Sequence, residues 1–343
     1  MRADFRSDTV TRPTPAMRAA MGAAELGDDV FGDDPTVNRL QDLAAERLGF
    51  EAALFVPSGT MANQVAIRTH TEPGDEIIVE STSHIFLYEG GGAAALSGCS
   101  VRCVDGDRGQ LTAAQVSEAV RPPGGLSHYP HSKLVCLENT ANKGGGTVYA
   151  QPRVAEIAAV TRANGLRLHL DGARLFNAAV ALGRPAAELA APFDSVSVCL
   201  SKGLGCPVGS LLLGSRPFID RAHRFRKMFG GGMRQAGVLA AAGVYALEHH
   251  IDRLAADHGR ARRLAEAVAA MSAFDVDLDS VETNMAYIDT RPSGLNAAAV
   301  LAALEARGVL AVGTGSHTIR LVAHLDVDDA GIDAAIDALG SVV

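Results

Sequence analysis

The chain has 343 residues, 48% hydrophobic and 20% charged, an ordinary globular composition with enough length for a large core and a smaller second one. A net charge of −8 and a pI near 5.8 argue against a nucleic-acid surface, and no apolar run reaches membrane-spanning length. The five cysteines have no zinc spacing, and the N-terminus has no apolar stretch of signal-peptide length, so the expectation is a cytoplasmic protein with reduced thiols and no zinc site.

Residues 1–33 read as mostly irregular or extended, rich in Thr, Pro and paired aspartates. Asp34-Pro35 opens a helix, because Asp caps it and Pro suits the first turn. Val37, Leu40, Leu43 and Leu48 follow near helical spacing, and Gly49 ends it. Ala52–Val56 is a strand, and Pro57-Ser58-Gly59-Thr60 turns from it into a helix. Further strands are expected at Glu76–Val79, Ser100–Val104, Leu134–Leu137, Leu166–Leu170 and Ser195–Leu200. Helices from Thr112, from Gln151-Pro152 to Asn164-Gly165 and near 174–182 separate them. Short apolar strands alternating with helices predict an α/β fold with a largely parallel sheet. A long helical stretch follows over 234–271, then a strand from 274, a strand Met285–Thr290, a helix Asn296–Ala306, a short strand, the strand Thr318–Val322 and a last helix. The chain therefore divides into a large domain, 1–245, that includes the N-terminal arm, and a small C-terminal α+β domain, 246–343.

Four features carry chemistry. In His169-Leu170-Asp171-Gly172-Ala173-Arg174 the aspartate stands where a strand ends, the place where parallel sheets bind ligands. Asp171 is either a helix N-cap or the carboxylate that keeps the pyridine nitrogen of pyridoxal phosphate protonated. In Val196-Ser197-Val198-Cys199-Leu200-Ser201-Lys202-Gly203 an apolar strand delivers a lysine, one of only four in the chain with Lys133, Lys143 and Lys227. A lysine at such a strand end is placed as a nucleophile toward a carbonyl. Lys227, in the basic run Arg224–Lys227, is its one serious competitor. The turn Ser58–Asn63, with Gly59 and Thr60, is an anion site if it is more than a capped helix start. His84, just after a strand, is a ring to stack on the pyridine, or a histidine at a helix start. Anchor, stacking ring, aspartate and lysine come in order at successive strand ends, a combination more specific than any member.

The sequence resembles the threonine aldolases, pyridoxal-phosphate enzymes related to the β-eliminating lyases. The motifs are Arg6–Pro13, Gly27–Pro35, Ser58–Asn63, His169–Arg174, Cys199–Ser210, Arg226–Gln235 and Ile319–Val322, spread over nearly the whole chain. The resemblance implies the type I transferase fold of pyridoxal-phosphate enzymes. It also implies a homotetramer built as a dimer of dimers. On the matching positions Lys202 would hold the cofactor, Asp171 its ring nitrogen and His84 its face, with Gly59, Thr60 and Arg234 on the phosphate. Ser7, Arg174 and Arg320 would clamp the substrate carboxylate, for which the planar guanidinium is suited. His128 would be a second active-site histidine, and Phe31 an aromatic reaching in from a neighbouring subunit. The sequence departs from the family pattern at Ala141, His131 and Cys206.

The implied reaction is reversible cleavage of L-threonine and L-allo-threonine to glycine and acetaldehyde. The base that takes the β-hydroxyl proton stays open among His84, His128 and a water between them. The alternative within the fold is another β-hydroxy-amino-acid aldolase or a β-eliminating lyase. A nucleotide-dependent oxidoreductase is disfavoured, because Gly203-x-Gly205-x-x-x-Gly209 has the wrong spacing and contains Pro207. A non-enzymatic cofactor-binding protein would not need Ser7, Arg174 and Arg320 together.

Overall fold

In a computed structural model of the protein, which describes residues 3–122 and 127–342, a seven-stranded sheet carries the fold. Strand β1 (Ala3–Asp4) precedes helix α1 (Pro15–Gly22), and α2 (Pro35–Leu48) leads into β2 (Ala52–Val56). Then come α3 (Gly59–His70), β3 (Glu76–Glu80) and the one-turn α4 (His84–Leu87). Strands β4 (Ser100–Val104), β5 (Ser132–Glu138), β6 (Arg167–Asp171), β7 (Ser195–Cys199) and β8 (Ser210–Gly214) complete the large sheet. Its order is β2-β8-β7-β6-β5-β3-β4. Neighbours from β4 to β7 pair in parallel, while β8 is antiparallel to both β7 and β2. All strands but β8 therefore run one way, and the C-terminal ends of β2, β3, β5, β6 and β7 share an edge.

Local chemistry accounts for these elements. Strands β2, β3, β7 and β8 are buried throughout, as strands of a sheet covered on both faces should be. The Asp34 carboxylate accepts the Thr36 and Val37 amides at the start of α2, and Gly49 closes it in the left-handed conformation at φ 72°. The Ser58 hydroxyl accepts the Met61 amide at the start of α3, a cap worth about 1 kcal/mol.

A second, smaller body holds β9 (Met285–Asp289), β10 (Val309–Leu310), β11 (Val312–Gly315) and β12 (Thr318–Val322). Its antiparallel sheet runs β11-β12-β9, and β10 pairs in parallel with β1. Its core gathers Ile288, Val300, Leu321 and Ile332 with Ala3 and Phe5 of the arm. In helix Leu254–Ala269, Leu254 packs into the large core and Leu264 into the small one, so this helix joins the two.

The structure differs from the sequence reading in places. Residues 1–33 hold α1, whose Thr14 cap and Pro15 were visible but whose one buried residue, Met17, leaves little apolar period to detect. Helix Arg216–Met228 and strand β8 were not expected, the first for its many charges and the second for following a glycine-rich turn. No strand starts at 274; Asp275 makes only an isolated bridge to Asp289. Among the described residues no helix is long and apolar enough to cross a membrane.

Candidate active site

A cavity of about 410 Å³ opens where the shared strand edge meets the small body, lined by Ser7, His84, Asp171, Arg174, Lys202 and Arg320 among others. Lys202 enters from the turn after β7. Its carbonyl accepts a hydrogen bond from the Thr11 hydroxyl at 3.0 Å, which ties the N-terminal arm to the turn. The turn needs glycine: Gly205 has φ +81°, and a Cβ there would lie 2.9 Å from the Leu325 side chain.

Asp171 ends β6 and sits in register with Glu138 of β5 and Ser197 of β7. Its Oδ1 accepts the Ala173 amide at 3.0 Å, and its Oδ2 accepts the Asn63 side-chain amide at 2.8 Å. That is part of a helix cap, yet each oxygen keeps a lone pair, and no Arg or Lys bonds it among the described residues. His84 is the first residue of α4. Its Nδ1 lies 2.9 Å from Glu89 Oε1, and its backbone amide donates to Glu138 Oε2 at 2.6 Å. Burial disfavours charge on the ring, but the Glu89 hydrogen bond and the Asp171 and Glu89 charges outweigh it, so the His84 pKa lies above the ordinary histidine value. Glu138 is fully buried beside Asp171; burial first and the Asp171 charge second push its carboxyl up to about 7.

The guanidinium groups come from different bodies. Arg174 follows β6, and its Nε and Nη2 donate to the two oxygens of Asp8 at 2.7 and 2.6 Å. Burial alone would raise the Asp8 pKa, but the Arg174 charge and these bonds hold it far below the usual carboxylate range. Arg320 comes from β12. Its Nη1 donates to Asn142 Oδ1 at 2.7 Å and its Nη2 to the Arg6 carbonyl at 3.0 Å. Its Nε is buried with no partner among the described residues. Ser7 caps the short turn Asp8–Val10 with its hydroxyl.

Other expected site residues lie elsewhere in the single chain. Gly59 and Thr60 start α3 outside the cavity lining, where a Cβ on Gly59 would lie 2.6 Å from Cys199 Sγ at the end of β7. Arg234 pairs with Asp28 at 2.9 Å on the surface, and Phe31 is 75% exposed. His128 stands in an exposed turn ahead of β5, at the opposite end of that strand from Glu138. The second lysine of the cavity is Lys143, with Nζ 3.3 Å from the Thr314 carbonyl; Lys227 stands apart on helix Arg216–Met228. Lys143 is therefore the competitor to Lys202, in place of Lys227.

Sequence reasoning missed Asp8, Glu89, Glu138 and Asn142. Asp8 lies within the Arg6–Pro13 motif, and an aspartate between Ser7 and Thr9 beside an arginine clamp invites pairing. Glu89 and Asn142 had no local signal, because their partners are brought in by the fold.

These residues fit a pyridoxal phosphate. Asp171 presents free acceptor positions in the cavity that the Lys202 amine also lines, and Arg320 keeps N–H groups beyond the two it gives to Asn142 and Arg6.

The sequence profile of the beta-eliminating lyase family matches residues 4–291. The chain is 49% identical over 325 residues to the low specificity L-threonine aldolase of Escherichia coli strain K12, spanning 94% of each chain. It is 43% identical over 342 residues to a probable low-specificity L-threonine aldolase 2 of Arabidopsis thaliana, spanning 99% of this chain and 96% of that one. Among solved structures, a threonine aldolase of Leishmania major superposes with a TM-score of 0.84 at 22% identity, over 99% of this chain and 100% of that one. A serine palmitoyltransferase of Sphingomonas wittichii superposes at 0.77 with 18% identity, over 99% and 87%. At such identities the two structures speak for the fold alone, the type I fold expected from the sequence.

Proposed function

This chain belongs to the beta-eliminating lyase family, among the low-specificity L-threonine aldolases, and we propose that it cleaves L-threonine and L-allo-threonine to glycine and acetaldehyde with pyridoxal 5'-phosphate as cofactor. The observation that carries the reading is the meeting of Lys202, Asp171, His84, Arg174 and Arg320 in one cavity. When bound, pyridoxal phosphate supplies an electron sink for the pair released as the Cα–Cβ bond breaks.

The chain's own residues do the rest. Lys202 is the amine that holds the cofactor, and Asp171 keeps a proton on its ring nitrogen with the lone pairs left free by Asn63 and Ala173. Arg320 and Arg174, with Ser7, bind the substrate carboxylate and set the orientation of the bond to be broken. His84 is the base: Glu89 holds Nδ1, and Nε2, which makes no hydrogen bond among the described residues, receives the β-hydroxyl proton. A fixed carboxylate and a fixed cofactor make the site strict for L at Cα. Control at Cβ is weaker, because it requires the site to tell a hydroxyl from a methyl by position.

We also propose a cytoplasmic homotetramer built from dimers. Phe31, Arg234 and His128 are assigned to sites completed by a neighbouring copy, a reading supported by their lying on the surface and outside the cavity of their own chain. Light scattering at assay concentration checks it, and a fully active monomer overturns it. For the activity, the measurement is aldehyde release from each of the four threonine stereoisomers. Both L forms should be cleaved. Release from one L form alone, or from D-threonine at a comparable rate, contradicts the account of the site.

A further inference from the structure

A line of polar side chains runs behind the cavity through the large sheet. Asn63, in α3, is 2% exposed, and its amide is saturated. Nδ2 donates to Asp171 Oδ2 and to Glu89 Oε1, each at 2.8 Å. Oδ1 accepts the Ser197 hydroxyl at 2.7 Å and faces His169 Nε2 at 3.1 Å. On the far side of that ring, His169 Nδ1 lies 2.8 Å from Ser195 Oγ, which in turn lies 2.7 Å from His70 Nε2.

Chemistry permits one direction of hydrogens along this line. Two carboxylates only accept, so the amide must turn its N–H₂ toward Asp171 and Glu89 and its oxygen toward His169. That oxygen also only accepts, so His169 donates from Nε2. Burial lowers the pKa of His169 to about 4 and of His70 to about 3, so both rings are neutral. Nδ1 of His169 then accepts from the Ser195 hydroxyl, whose oxygen accepts from His70.

We propose that Asn63 is the positioning residue of this active site: its amide, held in one orientation by His169, Ser195 and Ser197, fastens Asp171 to Glu89 and through Glu89 sets the His84 ring. The inference rests on the roles given above to Asp171 and His84. Ligand atoms of His84, Glu89 and Asp171 all lie within 4.8 Å of one another. Without the shared donor two buried carboxylates repel each other and lose their common anchor. Asp171 is then a poorer partner for the ring nitrogen, and His84 loses its fixed neighbour. The sequence motif Ser58–Asn63 had suggested phosphate binding only; the last residue of that motif serves the opposite end of the cofactor.

The test uses Asn63→Asp, which keeps the shape, removes both donors and adds a carboxylate. Two readouts separate positioning from mere space filling: the dissociation constant of pyridoxal phosphate from the holoenzyme by equilibrium dialysis, and the His84 titration midpoint by histidine NMR. The groups facing that ring are Glu89, Asp171, Glu138, Lys202 and Tyr88. Asn63→Asp should raise the dissociation constant about tenfold or more and move the midpoint by about one unit or more. His169→Leu should shift both readouts in the same direction by less, and His169→Gln, which keeps a donor at the Nε2 position, should restore them. Wild-type values in Asn63→Asp overturn the inference. Should that variant not fold, the His169 pair decides, and identical behaviour of Leu and Gln overturns it. Lys202→Ala runs alongside. If it loses the visible absorbance of bound cofactor while Asn63→Asp behaves as wild type, only this inference fails; if it keeps that absorbance, the reading of the site itself fails.

Discussion

Truncating Arg320 to alanine tests how the cavity holds its substrate. The guanidinium is already committed at two nitrogens, Nη1 to Asn142 Oδ1 and Nη2 to the Arg6 carbonyl, and its Nε is buried without a partner. Each committed nitrogen keeps a second N–H, and one charge-assisted bond from it to a substrate carboxylate is worth about 1.5–3 kcal/mol. That converts to a loss of roughly 10- to 150-fold in kcat/KM. Binding should not vanish, because Arg174 remains, locked to Asp8. The loss should divide between the constants: KM rises because an anchor is gone, and kcat falls because the same anchor orients the bond to be broken. Arg320→Lys should fall between, since it restores charge without the planar fork. The assay is aldehyde release over a range of L-threonine concentrations, with inhibition by glycine as a measure of carboxylate binding alone. A kcat/KM within about twofold of wild type would refute the reasoning and make Arg320 a bystander on β12.

Lys202→Ala should abolish turnover and the visible absorbance of bound cofactor, and borohydride fixation in wild type should label the Lys202 peptide; label on Lys143 would show the wrong lysine was chosen. Asp8→Asn leaves Arg174 as an uncompensated buried charge and should cost about 3–5 kcal/mol in urea unfolding at neutral pH. Because the folded pKa of Asp8 is depressed, its contribution is present above the ordinary 3.8 and is lost as pH falls toward the folded value. The gap between wild type and variant should therefore narrow in acid, and a gap of constant size would sink the idea. Glu138 has the opposite sign: its pKa is raised from 4.5 to about 7, so its contribution is present below 4.5 and is lost as pH rises through 7. Cofactor-free wild type should lose stability relative to Glu138→Gln across that window, and parallel pH profiles would contradict this.

Several parts of this protein are local and were readable in order. The α2 cap at Asp34, the alternation of short apolar strands with helices, and the delivery of Asp171 and Lys202 at strand ends all depend on residues a few positions apart. Periodicity and capping are near-neighbour effects, so one sequence suffices to see them. The same holds for the scarcity of lysine that drew attention to Lys202. Where the signal was weak the reading slipped, as with α1 and its single buried residue.

The assembly of the site was decided only by the tertiary structure. Asp8 meets Arg174 across 166 positions, Asn142 meets Arg320 across 178, and Asn63 meets Asp171 across 108. Sheet order brings β5 beside β6 and so sets Glu138 next to Asp171, and the pairing of β1 with β10 draws the arm bearing Ser7 and Asp8 across the cavity. A buried charge must find its partner wherever the packed chain places one, and no spacing in sequence encodes that distance.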